Sequence, residues 1–239
     1  MTSSASRSAQ KAAELYNQRY AARYRAHDDT LTDSGPYLGF VEWLQRTCNQ
    51  FSAPIDALEL GCGTGRYFSA LRHVRSLVGL DASADMLALA RTPYRAEAIT
   101  AERITLVHGD LFTHPLEDGA FDLVYSIGVL AEHAPLNQAV AARVHRLLKA
   151  GGRFAFSTVH PDSPSIGRTA GRSIGRVLAR LPGPFKWALR ERLLSGGMYA
   201  DEARIHDLLK PMFEIESLAR FISEAHLHCL CVARKAGAR

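Results

Sequence analysis

Glu59-Leu60-Gly61-Cys62-Gly63-Thr64-Gly65-Arg66 decides the fold, because it joins a short apolar run, Ile55–Leu60, directly to a glycine-rich turn. Glycines at the tip of a first strand let the backbone turn tightly and approach a ligand with no Cβ in the way. A helix expected around 66–74 would present its free N–H groups at the same crevice. Alone, Gly-x-Gly-x-Gly is weak evidence for a nucleotide-type ligand, and its context strengthens it. Asp81 stands 20 residues after Gly61, at the end of the next apolar run, where an acidic side chain accepts hydrogen bonds from ribose hydroxyls. The plain alternative for Asp81 is a solvated turn residue. A dinucleotide fingerprint would want a third glycine where Arg66 stands, so the ligand read here carries adenosine and ribose without a pyrophosphate.

Working outward, apolar runs recur at Ile55–Leu60, Leu77–Leu80, Ile104–Val107, Phe121–Tyr125 and Phe154–Val159, with helical patterns around Arg66–Val74, Ala84–Arg91 and Asn137–Ala150. Strands alternating with helices imply βαβ units and a mostly parallel sheet covered on both faces. Two last runs, Phe213–Arg220 and His226–Ala233, lie close together and read as an antiparallel hairpin. The expectation is therefore a Rossmann-like α/β fold with a seven-stranded, mostly parallel sheet ending in a β-hairpin. Residues 1–54 form a helical leader, with Tyr16, Tyr20 and Tyr24 spaced by four along a helix over 11–26 and a second helix opening at Pro36. Residues 55–239 form the main domain, interrupted at about 161–197 by a cap rich in Gly, Pro and Arg. Within that cap, Gly167, Gly171 and Gly175 share one helical row, beside Arg168, Arg172, Arg176 and Arg180. The arginine row reads either as a solvated basic face or as part of a cap pairing a substrate carboxylate or phosphate.

Composition narrows the class. The chain has 239 residues, 47% of them hydrophobic and 22% charged, which suits an ordinary globular protein and excludes disorder as the main state. No run approaches the ~20 apolar residues of a membrane helix. The opening MTSSASRSAQKAAELYNQRY lacks the apolar stretch of a secretory signal. It faintly resembles a transit peptide, but a frayed terminus running into a helix is the preferred reading. The net charge of +5 is too mild to indicate nucleic acid. Cysteines at 48, 62, 229 and 231 form no CxxC pair, which fits a reducing compartment, and the expected localisation is cytoplasmic. His226, His228, Cys229 and Cys231 look metal-like, but alternation along a strand sends the two His and the two Cys to opposite faces. A terminal strand is expected there, with no metal.

Taken together, these residues resemble the class I S-adenosylmethionine-dependent methyltransferases, in the branch that acts on small molecules. The resemblance runs over roughly residues 55–235 and is fainter in the leader. It implies that Glu59, Gly61, Cys62, Gly63 and Gly65 hold the methionyl end of S-adenosylmethionine as co-substrate, with Cys62 a small filler. It further implies that Asp81-Ala82 meets the ribose, Met86 packs on the adenine, and Asp110-Leu111 meets the adenine amino group. Ser126-Ile127-Gly128 matches the loop whose backbone faces the cofactor's amino group, and Leu148-Lys149-Ala150-Gly151-Gly152 matches the turn before strand five, with Ala150 replacing the usual proline. Tyr16 and Tyr24 resemble a pair of aromatics covering the cofactor; a packed tyrosine stripe is the alternative.

The implied reaction is methyl transfer to O or N of a small-molecule acceptor by a monomer or homodimer, with neither nucleic acid nor membrane as partner. Such an in-line displacement draws most of its acceleration from alignment and exclusion of water, and needs a base only if the acceptor must lose a proton. His133, in Glu132-His133, is the candidate base, with a role at the start of the following helix as the alternative. Tyr199 is a second catalytic candidate, and His160 a weaker one. Val129 stands where metal-binding quinone-pathway relatives carry a further glutamate, which disfavours a metal. Three other readings stay open: cyclisation of the cofactor with release of methylthioadenosine, a non-catalytic cofactor-binding scaffold, and an RNA methyltransferase.

Overall fold

The computed structural model describes residues 14–31, 35–164, 199–223 and 226–237. From residue 165 onward the expected cap, with Arg168, Arg172, Arg176 and Arg180, lies outside the described residues. The leader supplies α1 (Gln18–Asp28) and α2 (Pro36–Cys48). The sheet is built from β1 (Ile55–Leu60), β2 (Val74–Asp81), β3 (Arg103–His108), β4 (Phe121–Ser126), β5 (Leu148–Val159), β6 (Phe213–Ser223) and β7 (His226–Lys235). Between strands lie α3 (Ala84–Ala90), α4 (Gln138–Leu147) and α5 (Glu202–Leu209).

The seven strands run in the order β3-β2-β1-β4-β5-β7-β6. Strands β1 to β5 pair in parallel, whereas β7 runs antiparallel to both β5 and β6. The order reverses between β1 and β4, and a crevice opens beyond the carboxyl ends of strands at such a switch point. Central strands are buried on both faces, as their near-continuous apolar runs require. On one face Val140, Val144 and Leu147 of α4 and Ile205 and Leu209 of α5 cover Leu58, Phe154 and Phe156. On the other, Phe40, Trp43 and Leu44 of α2 cover Ala57, Leu77, Leu123 and Tyr125. Each large side chain fully buried in this way contributes ~1.5–3 kcal/mol. Helix starts are set by side-chain caps: Asn17 for α1, Ser83 for α3, Asn137 for α4 and Asp201 for α5 each accept a backbone N–H of the first turn.

Two expectations need correction. No α-helix follows the glycine turn; residues 66–74 hold only a 3-10 turn at Phe68–Ala70. Five consecutive residues, Tyr67–Leu71, are buried there, whereas a helix with one core-facing stripe would leave its other side exposed. The third expected helix ends at Leu147 rather than Ala150, and β5 begins at once with an irregularity: Phe121 pairs with Leu148, but Leu123 pairs with Arg153. The intervening turn needs a left-handed residue, supplied by Gly151 at φ +73.

At the amino ends of the strands the sheet is fastened by charge. Asp122 Oδ2 accepts the Asp56 N–H at 2.8 Å and Lys149 Nζ at 2.7 Å, and Lys149 also reaches Asp56 Oδ2 at 2.9 Å. Arg75 completes the group on the Asp56 carboxylate, whose pKa its guanidinium holds well below the usual range. Among the described residues, no helix is long and apolar enough to cross a membrane.

Candidate active site

Beyond the carboxyl ends of β1, β2 and β4 lies a cavity of about 310 Å³. Its floor is the glycine turn. Gly61, at φ +74, is fixed by Val129: a Cβ there would come within 2.5 Å of Val129 Cγ2. Gly63, at φ +55, faces the Met86 side chain. Asp81 closes the floor from β2, its Oδ2 accepting the Gly63 N–H at 2.8 Å and its Oδ1 the Ser83 N–H at 2.8 Å. Burial raises the Asp81 pKa, while these two N–H groups act against the rise. Each carboxylate oxygen keeps a further lone pair. Glu59, almost fully buried beneath the turn, accepts the Tyr125 hydroxyl at 2.7 Å. Burial pushes its pKa up to about 8.

The leader forms one wall. Asp28 at the end of α1 has no solvent exposure and accepts Thr64 Oγ1 and Arg66 Nε, both at 2.5 Å. The Arg66 guanidinium lies 4.1 Å from the centre of the Tyr24 ring. Its Nη2 is buried with no hydrogen-bond partner among the described residues. Ser83 donates its hydroxyl to the Tyr16 carbonyl at 2.5 Å, so the leader is held at both ends of the cavity. Tyr16 precedes α1 rather than lying on it, and its ring packs edge-on to Tyr20 at 4.7 Å. Burial raises the Tyr16 hydroxyl and pushes that of Tyr24 up to about 12.

The opposite wall comes from the turn after β4. Ala131 there adopts φ +60, and the Val129 carbonyl accepts the His133 and Ala134 N–H groups at 2.8 and 2.9 Å. This tight turn directs Glu132 and His133 to the cavity. His133 packs edge-on to Tyr16 at 5.3 Å between ring centres. It is exposed at the rim, yet loss of hydration on its protein-facing side lowers its pKa. The next helix is capped by Asn137, not by His133. Burial raises Glu132 to about 7 and lowers His228, on β7, to about 4.

Of the residues singled out from the sequence, Tyr16, Tyr24, Glu59, Gly61, Cys62 and Gly63 line this cavity, as do Asp81, Ala82 and Met86. Asp110, Leu111, Ile127 and His133 line it too. Gly65, Ser126 and Tyr199 lie outside the lining. Gly65 backs onto Phe68, and Ser126 turns its hydroxyl to the Leu60 carbonyl at 2.9 Å, bracing β4 to β1. The Gly128 N–H is committed to Ser157 Oγ at 2.9 Å. Sequence reading did not assign the wall residues Tyr20, Phe40, Glu132 and His228 to the site, nor the Asp28 anchor; Phe40, His228 and Asp28 come from distant elements and carry no local signature, whereas Tyr20 and Glu132 stand beside residues that were singled out. The alternation expected on β7 is present, with Cys229 and Cys231 in one core layer and His228 on the cavity side.

His160 is not at the cavity. It meets Glu202 and Cys229, whose ligating atoms all lie within 4.8 Å of one another. Each of these groups is already committed or protonated. Asp162 N–H donates to His160 Nδ1 at 3.0 Å, Arg220 holds the Glu202 carboxylate with its pKa near 2, and burial pushes the Cys229 thiol up to about 12. The trio reads as a pin between β5, α5 and β7.

Comparison with known proteins bears on this geometry. Residues 58–156 match the family described as Methyltransferase domain. A demethylmenaquinone methyltransferase of Shouchella clausii is 34% identical over 129 residues, 51% of this chain and 54% of that protein. A malonyl-[acyl-carrier protein] O-methyltransferase of Pectobacterium atrosepticum is 31% identical over 140 residues, 55% of this chain and 52% of that one. The chain thus spans about half the length of these two curated relatives. Among solved structures, magnesium protoporphyrin IX methyltransferase from Synechocystis, with bound S-adenosylhomocysteine, superposes with TM-score 0.66 at 18% identity, covering 96% of this chain and all of that one. At that identity the likeness establishes the fold.

Proposed function

We propose, from the methyltransferase domain carried by residues 58–156, that this protein transfers a methyl group from S-adenosylmethionine to O or N of a small-molecule acceptor. The observation that carries the reading is the glycine turn tied to Asp81 at the switch point of the sheet, under a wall of leader tyrosines. The cofactor supplies an electrophilic methyl on a sulfonium. Around it, the chain's residues divide the work. Gly61 and Gly63 leave a cradle that a Cβ would fill, and Asp81 offers its remaining lone pairs to a ribose diol. Arg66 Nη2, buried and unpaired among the described residues, suits the carboxylate of an amino-acid moiety. Tyr16 and Tyr24 cover the cleft and exclude water, and aromatic faces attract a sulfonium. His133, at the rim against Tyr16, stands ready to take a proton from a protic acceptor.

Titration calorimetry with S-adenosylhomocysteine, followed by mass analysis of products formed from S-adenosylmethionine, tests the proposal. Binding together with accumulation of S-adenosylhomocysteine is the expected result. Absence of binding, or methylthioadenosine as the product, would overturn it.

A further inference from the structure

The cavity holds two buried hydrogen-bonding atoms that nothing described in the protein satisfies. Glu132 Oε1 and His228 Nδ1 are both without a partner among the described residues, and they lie 4.0 Å apart. Glu132 Oε1 is buried although the side chain as a whole is 18% exposed, so the carboxylate reaches inward from the rim. Nδ1 of His228 has no hydrogen-bond partner among the described residues, and the Thr158 backbone beside the ring favours a proton on it. We assign the single proton of the neutral ring to Nε2, which leaves a lone pair at Nδ1. Two acceptors therefore face each other across a gap too long for a direct hydrogen bond. Leaving both unsatisfied is costly, so the gap asks for a group that donates to both.

We infer that Glu132 and His228 are the acceptor-recognising pair of the active site, and that the acceptor presents a primary amine bridging them. This rests on the methyl-transfer reading given above. A primary amine enters from water as an ammonium and first returns one proton to solvent; the neutral amine then has two N–H donors and one lone pair. With one N–H on the Glu132 carboxylate and the other on His228 Nδ1, the lone pair is the remaining vertex and is free to attack. A hydroxyl has a single O–H and leaves one of the two acceptors unpaired. Tyr16, Tyr20 and Phe40 in the same wall offer aromatic surface to the organic part of such an acceptor. In the reaction the nitrogen lone pair forms the N–CH3 bond while the S–CH3 bond breaks, its electron pair staying on sulfur. The resulting secondary ammonium passes one proton to the Glu132 carboxylate, which for this acceptor acts in place of His133 and later releases the proton to water. Burial places the Glu132 pKa at about 7, where a carboxylate both accepts and returns a proton readily.

The test measures binding apart from turnover. The full chain, saturated with S-adenosylhomocysteine, is titrated with two matched probe pairs, benzylamine against benzyl alcohol and methylamine against methanol, by calorimetry or saturation-transfer NMR. At least one amine is expected to bind about tenfold or more tightly than its alcohol. Glu132→Gln and His228→Phe should each reduce that preference severalfold while S-adenosylhomocysteine affinity, which also reports folding, stays at the wild-type value. Equal binding of amine and alcohol in both pairs, as expected if the gap merely holds a bridging water, overturns the inference. So does a preference that survives both substitutions. Failure of the wild type to bind S-adenosylhomocysteine would instead sink the underlying methyl-transfer reading. With S-adenosylmethionine, N-methylated rather than O-methylated product is the matching outcome.

Discussion

Replacing Asp28 by Ala should be among the most damaging single changes available outside the hydrophobic core. The carboxylate is fully buried, and its partner Arg66 has a side chain only 14% exposed. Removing the acid leaves Thr64 Oγ1 without its acceptor and the guanidinium desolvated, with the neutral Tyr24 and Tyr67 side chains beside it. Breaking one side of a buried ion pair costs ~3–5 kcal/mol. At a urea m-value of ~2–3 kcal/mol/M that corresponds to a midpoint lowered by roughly 1–2 M. Alternatively the protein escapes part of this cost by releasing α1, and cofactor affinity then falls because Tyr16 and Tyr24 leave the wall. Urea denaturation followed by calorimetry with S-adenosylhomocysteine reads both outcomes. The decisive measurement is a double-mutant cycle. Arg66→Met alone should also destabilise, by stranding Asp28, whereas the double variant D28A/R66M should regain at least half of the summed loss, because no uncompensated charge remains. Strictly additive losses, or a D28A midpoint within about 0.3 M of wild type at that m-value, would refute the argument that this pair anchors the leader.

Asp81→Ala should weaken S-adenosylhomocysteine binding at least tenfold by calorimetry, since it removes charge-assisted bonds worth ~1.5–3 kcal/mol each and frees the Gly63 N–H. Glu59 is more proton-bound in the folded chain than in the unfolded one, with its pKa raised from 4.5 to about 8. Its contribution to stability therefore falls as pH rises through that window, and Glu59→Gln, which keeps an acceptor for Tyr125, should flatten the pH dependence of the urea midpoint between those values. A slope unchanged by the substitution would show that Glu59 ionises normally. With a hydroxyl acceptor, for which His133 is the base, His133→Ala should lower turnover at saturating cofactor while leaving S-adenosylhomocysteine affinity intact; loss confined to affinity would reject that role.

The strands and the cavity floor were legible because their signals are local. Apolar runs of strand length, a glycine triplet with its positive-φ backbone and an acid at the next strand end all sit within about thirty residues of one another. The failed expectation at 66–74 has a tertiary cause: RYFSALRHV has enough apolar residues for a helix, but the leader packs over it and five in succession are buried. The cavity wall around Glu132 and His228 was not legible. His228 reaches Glu132 from a strand 96 positions later in the chain (228 − 132), and nothing in either neighbourhood marks the encounter. Glu132 was passed over for its neighbour His133 because a histidine titrates near neutrality by default, whereas the shift in Glu132 depends on burial that only the folded cavity supplies. Asp28 likewise looks like an ordinary acid at a helix end until Thr64 and Arg66 are seen to fold over it.

Asp56, Asp122 and Lys149 cross-link strands β1, β4 and β5 at the margin opposite the cavity, and Arg75 brings in β2. These four strands are therefore tied together by groups that do not line the cavity. A change of specificity need not loosen the framework: the turn after β4, the end of β7 and the leader can be rewritten while the charged margin keeps the strands aligned. For an engineer this makes the molecule a mount with exchangeable fittings. Libraries built at Glu132, His133 and His228, with Asp56, Asp122 and Lys149 kept constant, would vary the chemistry on a sheet whose alignment is secured elsewhere.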